Sequence, residues 1–382
     1  MDTPDPRARI TRVQARNFRS VADLDLELGD LTVLVGRNGS GKSNTVDVLR
    51  FLRDCVARGF EQALLDRGGL DTVCHRGSTA LSVGVQIEYE GWTCQYQLRE
   101  GADDRQEVAR AMGGGEPEGV VVSSDGAVTG WDWTESNRPL LSRLASLGPT
   151  EPEGRLPYIS PSHHALFEVA ERALLRVRDY DFPIHELKGP QRARMTWPLD
   201  ERGMNLYAVL SDILRGPDGE TVRQVLRLAV DGAGGIEVDE LGNHFLAQVL
   251  YPSGGDGDTA RSGIDLESDG TIRLVATLAA LYQSPSLPFI ILEEPERNVH
   301  PGVAAVLAGV LEQASARGQV LVTTHSPDLI DGLDVDSLRV VERVDGGTVV
   351  GRVDAIQRGI IRDKLFSTGE LMRVQGLNRE ES

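Results

Sequence analysis

The chain has 382 residues, 40% hydrophobic and 26% charged, the balance of a folded protein with two or three average domains or one large α/β domain carrying an insertion. Its 58 acidic against 40 basic residues give a net charge of −18 at pH 7, which argues against a surface coated in nucleic-acid contacts but leaves room for a local basic groove. Cys55, Cys74 and Cys94 are too widely spaced for a zinc site or disulfide framework, no apolar run reaches the length of a membrane span, and the polar start Met1–Pro6 lacks a signal-peptide core; a cytoplasmic protein with no membrane partner is expected.

Residues 8–35 alternate like strands, with Ile10, Val13, Ala15 and Phe18, then Leu24, Leu26 and Leu28, then the apolar run Leu31–Val35. That run enters the turn Gly36-Arg37-Asn38-Gly39-Ser40-Gly41-Lys42-Ser43-Asn44, and a helical pattern follows to about Ala57. Strand, Gly-rich turn and helix are the context that makes a phosphate loop physical. Glycines let successive backbone N–H groups curl around phosphate oxygens, and the helix N-terminus adds unpaired donors and its dipole. Lys42 would reach the β- and γ-phosphates, and the Ser43 hydroxyl would ligate Mg²⁺. The competing reading is a strand-turn-helix that merely happens to be Gly-rich. Lys42 is one of only three lysines, with Lys188 and Lys364, in a chain whose other 37 basic residues are arginines.

A Gly-containing loop is expected over 66–78 and a hairpin over 81–98, turning at Glu90-Gly91. Residues 101–118 read as a loose surface loop and 119–133 as a second hairpin turning at Asp125-Gly126. From 136 to 250 apolar residues recur at three- and four-residue spacing in 165–176, 205–214 and 221–230, predicting short helices interrupted by prolines. Residues 252–263 read as a linker. An α/β pattern then resumes, with a helix near 271–282, a strand 288–292, a helix 301–316, a strand 319–323 and a strand pair around 338–352.

Three further motifs carry chemistry. Phe289-Ile290-Ile291-Leu292-Glu293-Glu294 is an apolar strand ending in two acids, a Walker B pattern in which Glu293 can hold Mg²⁺ through water and Glu294 can polarise the attacking water. Val320–Thr324 is another apolar strand, followed by His325, whose imidazole can donate to the γ-phosphate or that water. Ser268-Asp269-Gly270-Thr271 opens the helix Ile272–Tyr282, with Ser268 as N-cap and free N–H donors at the helix start. Each has a purely structural alternative: solvated strand-end acids, a packing histidine, a capped helix. Their order along one chain favours the chemical one.

That order resembles the ABC-type ATPase heads of the SMC/RecF/OLD superfamily, and most of all the short bacterial AAA-type ATPases of mobile or defence loci. The resemblance rests on Ala15-Arg16-Asn17-Phe18-Arg19-Ser20, Gly36–Asn44, Gly203–Leu206, Ser268–Thr271, Glu293-Glu294-Pro295-Glu296 with His300-Pro301, Thr324–Pro327 and Leu365–Leu371. It implies an α/β fold, an ABC-type P-loop NTPase head with an N-terminal antiparallel β region and a helical insertion. The divisions are an N-terminal lobe 1–135, an insertion 136–250, a C-terminal lobe 251–355 and a tail 356–382.

It further implies an ATP- and Mg²⁺-dependent homodimer. In each site, Lys42, Glu294 and His325 of one subunit would meet Ser268, Asp269 and Gly270 of the other. Three features depart from the family: Ser-Asp-Gly-Thr in place of the transporter signature, His300 where a dimer-contacting Asp is usual, and no identifiable Q-loop glutamine.

Only 57 residues follow His325, too few for the TOPRIM nuclease domain of OLD-type proteins, so a nuclease or toxin activity is expected from a separate effector protein. Lys188, Arg192 and Arg194 with Trp197 form a basic cluster that reads either as a nucleic-acid contact or as a solvated Arg-rich loop. The leading expectation is an ATPase whose dimer closure controls an effector in antiphage or genome defence. The alternatives are a RecF-like repair ATPase that clamps DNA directly and a non-catalytic nucleotide-sensing scaffold.

Overall fold

The computed structural model describes residues 8–101, 105–113, 116–124, 127–128, 140–147, 161–192, 197–252 and 259–380. A sheet of thirteen strands runs through the molecule in the order 127–128, 116–124, 105–113, 92–100, 81–89, 9–18, 21–27, 347–352, 338–344, 31–35, 319–324, 289–293, 177–180. Its two ends differ in physical character. From 127–128 to 21–27 neighbours are antiparallel, with hairpins such as Tyr89↔Trp92 that expose one face and bury the other.

From 338–344 to 177–180 the strands are parallel. The central three, 31–35, 319–324 and 289–293, are mostly apolar because both faces are covered, whereas 338–344 and 177–180 carry charged residues. Leu34, Phe289, Ile291 and Leu321 join a core with the helix Lys42–Arg58. Their neighbours Val33, Val35, Ile290, Leu292, Val320 and Val322 join a second core on the other face, with the helices Leu206–Arg215, Asp269–Tyr282 and Pro301–Ser315.

The helices and strands expected from periodicity form within a few residues of their predicted bounds, and the expected α/β class is present. Several local expectations fail. Residues 105–113 and 116–118, expected in a loose loop, are in strands, while 119–124 form the strand expected there and pair with 127–128. The inward positions of the first are Glu107, Ala109 and Ala111, so its alternation was hidden by small residues and one buried acid. Glu107 is satisfied there by the Tyr96 hydroxyl at 2.8 Å and the Leu140 N–H at 2.6 Å.

The insertion is not all helical. The strand Val177–Tyr180 extends the main sheet, and Gly235–Leu241 pairs with His244–Pro252 in a second sheet that also takes in Gln191–Arg192 and Thr259–Gly263. The last of these strands lies in the stretch expected to be a linker, of which 253–258 fall outside the described residues. So do the turn Asp125-Gly126 and Arg194. The expected loop 66–78 contains the short helix Leu70–Val73. Among the described residues no helix is long and apolar enough to cross a membrane.

Candidate nucleotide site

Three parallel strands deliver the chemistry to one edge. The pairings Thr324↔Val35 and Glu293↔Thr323 put the ends of 31–35, 319–324 and 289–293 level, so the residues just beyond them meet at the carboxyl end of the sheet. The result is a cleft of about 950 Å³ lined by Asn38, Gly39, Gly41, Lys42, Ser43 and Asn44 from the phosphate loop, Glu294, Glu296 and Arg297 after the Walker B strand, and His325.

Close approach explains two of the loop's glycines. A Cβ on Gly36 would lie 2.3 Å from the Val341 carbonyl oxygen, and one on Gly41 would lie 2.0 Å from Thr348 Oγ1. Gly41 also has φ +107°, a conformation that L side chains rarely adopt. Lys42 begins the helix, and its ammonium donates to the Gly36 and Arg37 carbonyls at 2.7 and 3.2 Å. Burial lowers its pKa, and the carboxylates of Glu294, Glu296 and Glu293 oppose that shift.

The Ser43 hydroxyl donates to Glu293 Oε2 at 2.6 Å, although the two residues are 250 positions apart. Burial pushes the Glu293 carboxyl up, but Arg50, Ser43 and Lys42 outweigh it and hold the pKa below the ordinary value. A hydroxyl and an ionised carboxylate side by side are hard oxygen donors of the kind Mg²⁺ takes. Among the described residues no group of three or more His, Cys, Asp or Glu side chains could cage a metal. This donor pair would hold such an ion, and when bound the ion would supply positive charge to stabilise phosphate oxygens.

Glu294 sits beyond the strand with φ +45°, rare for a residue with a side chain, and is held by its N–H to the Thr323 carbonyl at 2.9 Å. Its Oε1 is 3.1 Å from His325 Nδ1, so the acid and the imidazole face the cleft as a pair. Glu296 stands behind them. It accepts a short hydrogen bond from the Thr324 hydroxyl, whose oxygen in turn accepts the Ser326 N–H at 2.9 Å. The segment carrying His325 is thus tied to the Walker B turn through Thr324, and Ser326 is folded back onto that same hydroxyl. Burial raises the Glu296 pKa against the pull of that hydrogen bond, and its second oxygen, Oε2, is buried without a partner.

Known proteins resemble this chain along most of its length. The family model described as "AAA domain, putative AbiEii toxin, Type IV TA system" matches residues 142–331, and that of the AAA ATPase domain matches 9–95. The DNA replication and repair protein RecF of Brucella abortus is 34% identical over 143 residues, 33% of this chain and 35% of RecF. The SbcC polypeptide of the nuclease SbcCD from Deinococcus radiodurans is 35% identical over 110 residues, 28% of this chain and 12% of SbcC. The chain thus spans about a third of the one and an eighth of the other.

Two solved structures share the fold. An Smc head bound to the C-terminal winged-helix domain of ScpA has TM-score 0.51 at 16% identity, covering 91% of this chain and 98% of the other. An Smc head with an extended coiled coil, bound to the C-terminal domain of ScpA from Pyrococcus furiosus, has TM-score 0.52 at 13% identity, covering 94% and 99%. The chain has the fold of an SMC/RecF-like ABC-type ATPase head.

In this head Gly36–Asn44, Glu293, Glu294 and His325 come together, and Ser268, Asp269 and Gly270 do not join them. None of the latter three lines the cleft. Ser268 caps its helix by accepting the Thr271 N–H at 3.1 Å. A Cβ on Gly270 would fall 2.1 Å from the Asn298 carbonyl oxygen, so the helix start is packed onto the turn after Walker B. Ser268 and Asp269 remain exposed.

His300 caps the helix Pro301–Ser315, its Nδ1 accepting the Gly302 N–H at 3.1 Å. The basic cluster has structural partners. Lys188 pairs with Asp269 at 3.0 Å and the Trp197 indole donates to the Pro285 carbonyl at 2.7 Å.

No residue of 66–78 lines the cleft, so that loop does not stand in for a Q-loop. The strand beside Walker B is Val177–Tyr180, which brings Asp179 to the site. Arg50 and Asp179 are contributors that motif reading passed over, and Glu296, quoted only as part of the Walker B segment, was given no role. Arg50 had a signal, lying about two helical turns after Ser43 and so on the same face. Asp179 had none, because its strand sits among helical patterns.

Proposed function

We propose that this head binds ATP with Mg²⁺ and hydrolyses it, that ATP closes a homodimer, and that closure controls a separate effector protein in genome defence. The observation that carries the reading is the single cleft in which Ser43 touches Glu293 and His325 faces Glu294. Lys42 and the loop N–H groups would hold the triphosphate, and Ser43 with Glu293 would hold the ion. Glu294 would accept the proton of a water attacking the γ-phosphorus, and His325 would orient Glu294 and the phosphate end.

The cap residue Ser268 and its neighbour Asp269 are exposed and lie outside the lining of their own cleft, which supports a site completed by a second copy, since a helix N-terminus at the surface suits a phosphate brought by a partner. The matched family's description as a toxin of a type IV toxin–antitoxin system supports a defence role. The pairing of Lys188 with Asp269 and of Trp197 with Pro285 weighs against direct DNA clamping through that cluster.

The test is Glu294→Gln, which keeps volume while removing the base. ATP binding should persist, phosphate release should fall about 10²–10⁴-fold, and ATP should shift the variant to a dimer on size-exclusion chromatography. Lys42→Ala should lose triphosphate binding. Turnover of Glu294→Gln at the wild-type rate would refute the catalytic part, and a monomer at saturating ATP would refute the closure.

A further inference from the structure

The third helical turn of Lys42–Arg58 carries Arg50, whose side chain is only 16% exposed. Its guanidinium is shared between two acids from two different strands. Nε and Nη2 reach the Asp179 carboxylate at 2.6 and 2.8 Å, and Nη2 also makes a short bond to Glu293 Oε1. The other Glu293 oxygen, Oε2, is the one that accepts from Ser43 at 2.6 Å. The carboxylate is therefore divided, one oxygen fixed by the arginine and one turned to the ion-binding hydroxyl.

We infer that Arg50 is a positioning residue for the metal: anchored on Asp179, it pins Glu293 Oε1 so that Oε2 is presented beside Ser43. This rests on the Mg²⁺–ATP reading above and deepens it. Two features make the arrangement specific. A glutamate has one more rotatable bond than an aspartate, so a carboxylate at this position needs an external fixture to hold one orientation. Only a planar guanidinium presents enough donors in a fixed fork to hold two carboxylates at once, which a lysine ammonium on a flexible stem does not.

The three side chains are largely covered, Arg50 and Asp179 at 16% exposed and Glu293 at 26%. Arg50 is not itself part of the cleft lining. Its effect passes through Glu293.

The experiment measures binding, not turnover. Affinity for a fluorescent ATP analogue is measured in EDTA and across a Mg²⁺ titration for the full chain and for Arg50→Met and Arg50→Lys. Loss of an outer partner of a metal ligand typically weakens metal affinity about 10–100-fold. Arg50→Met should raise the Mg²⁺ half-saturation by that factor with metal-free nucleotide affinity unchanged, and Arg50→Lys by a smaller factor. Because Arg50→Met strands two buried acids, Arg50→Met/Asp179→Asn is made alongside it, and Arg50→Lys keeps the buried charge if both fail to fold. An unchanged Mg²⁺ half-saturation in the folded variants overturns the inference, as does an equal loss of affinity in EDTA. Absence of nucleotide binding by the unmodified chain would instead overturn the Mg²⁺–ATP reading itself.

Discussion

Gly41→Ala places a methyl group where the fold has no room, and the cost can be followed atom by atom. The new Cβ would sit 2.0 Å from Thr348 Oγ1, 2.7 Å from its Cγ2 and 2.8 Å from its Cβ. Thr348 cannot swing aside cheaply. It is fully buried, its hydroxyl lies 2.7 Å from Ser20 Oγ, and it donates to the Ser40 carbonyl at 3.0 Å. Relief requires moving the strand Gly347–Arg352 or the phosphate loop itself.

A left-handed backbone adds about 1–2 kcal/mol for a residue with a Cβ, and overpacking adds about 1–3 kcal/mol. The sum, about 2–5 kcal/mol, is a large part of the roughly 5–15 kcal/mol that stabilises a typical fold. Urea denaturation of Gly41→Ala, Thr348→Ala and the double variant separates the two contributions. Thr348→Ala removes the Oγ1 and Cγ2 overlaps but neither the 2.8 Å approach of its Cβ nor the φ, so the double variant should be about 1–3 kcal/mol more stable than the sum of the singles predicts. Additive effects would show that the loop and Thr348 are not in contact as described.

Glu296 gives a pH test. Its folded-state pKa is raised from 4.5 by burial, so the fold prefers the protonated acid. That contribution is complete below the unfolded-state value and is lost as pH rises through the folded-state value. Glu296→Gln, which cannot ionise, should therefore gain melting temperature relative to the unmodified chain as pH is raised from about 4 to 8; a constant difference would contradict a raised pKa. Ser268→Arg puts bulk and charge on an exposed helix cap. It should leave nucleotide binding by the monomer intact while blocking the ATP-dependent dimer on size-exclusion chromatography, and unchanged dimerisation and turnover would count against a shared site.

Sequence by itself determined the local chemistry. The run Leu31–Val35 into Gly36–Ser43, the acids ending Phe289–Glu293 and the histidine ending Gln319–Thr324 were legible because a buried parallel strand must be continuously apolar and a loop that hugs phosphate must be Gly-rich. Strand Arg105–Gly113 was not legible, since Ala109, Ala111 and a buried Glu107 hide its alternation.

Only the tertiary structure decided who meets whom. Ser43 and Glu293 are 250 residues apart, and Arg50 joins Asp179 to Glu293 across two strands. Such meetings depend on sheet order and register, which are set by the packing of whole faces, and no local pattern encodes them. The same holds for Ser268–Gly270. The sequence marks a capped helix, and the fold leaves Ser268 and Asp269 exposed outside the cleft lining with Gly270 packed against Asn298.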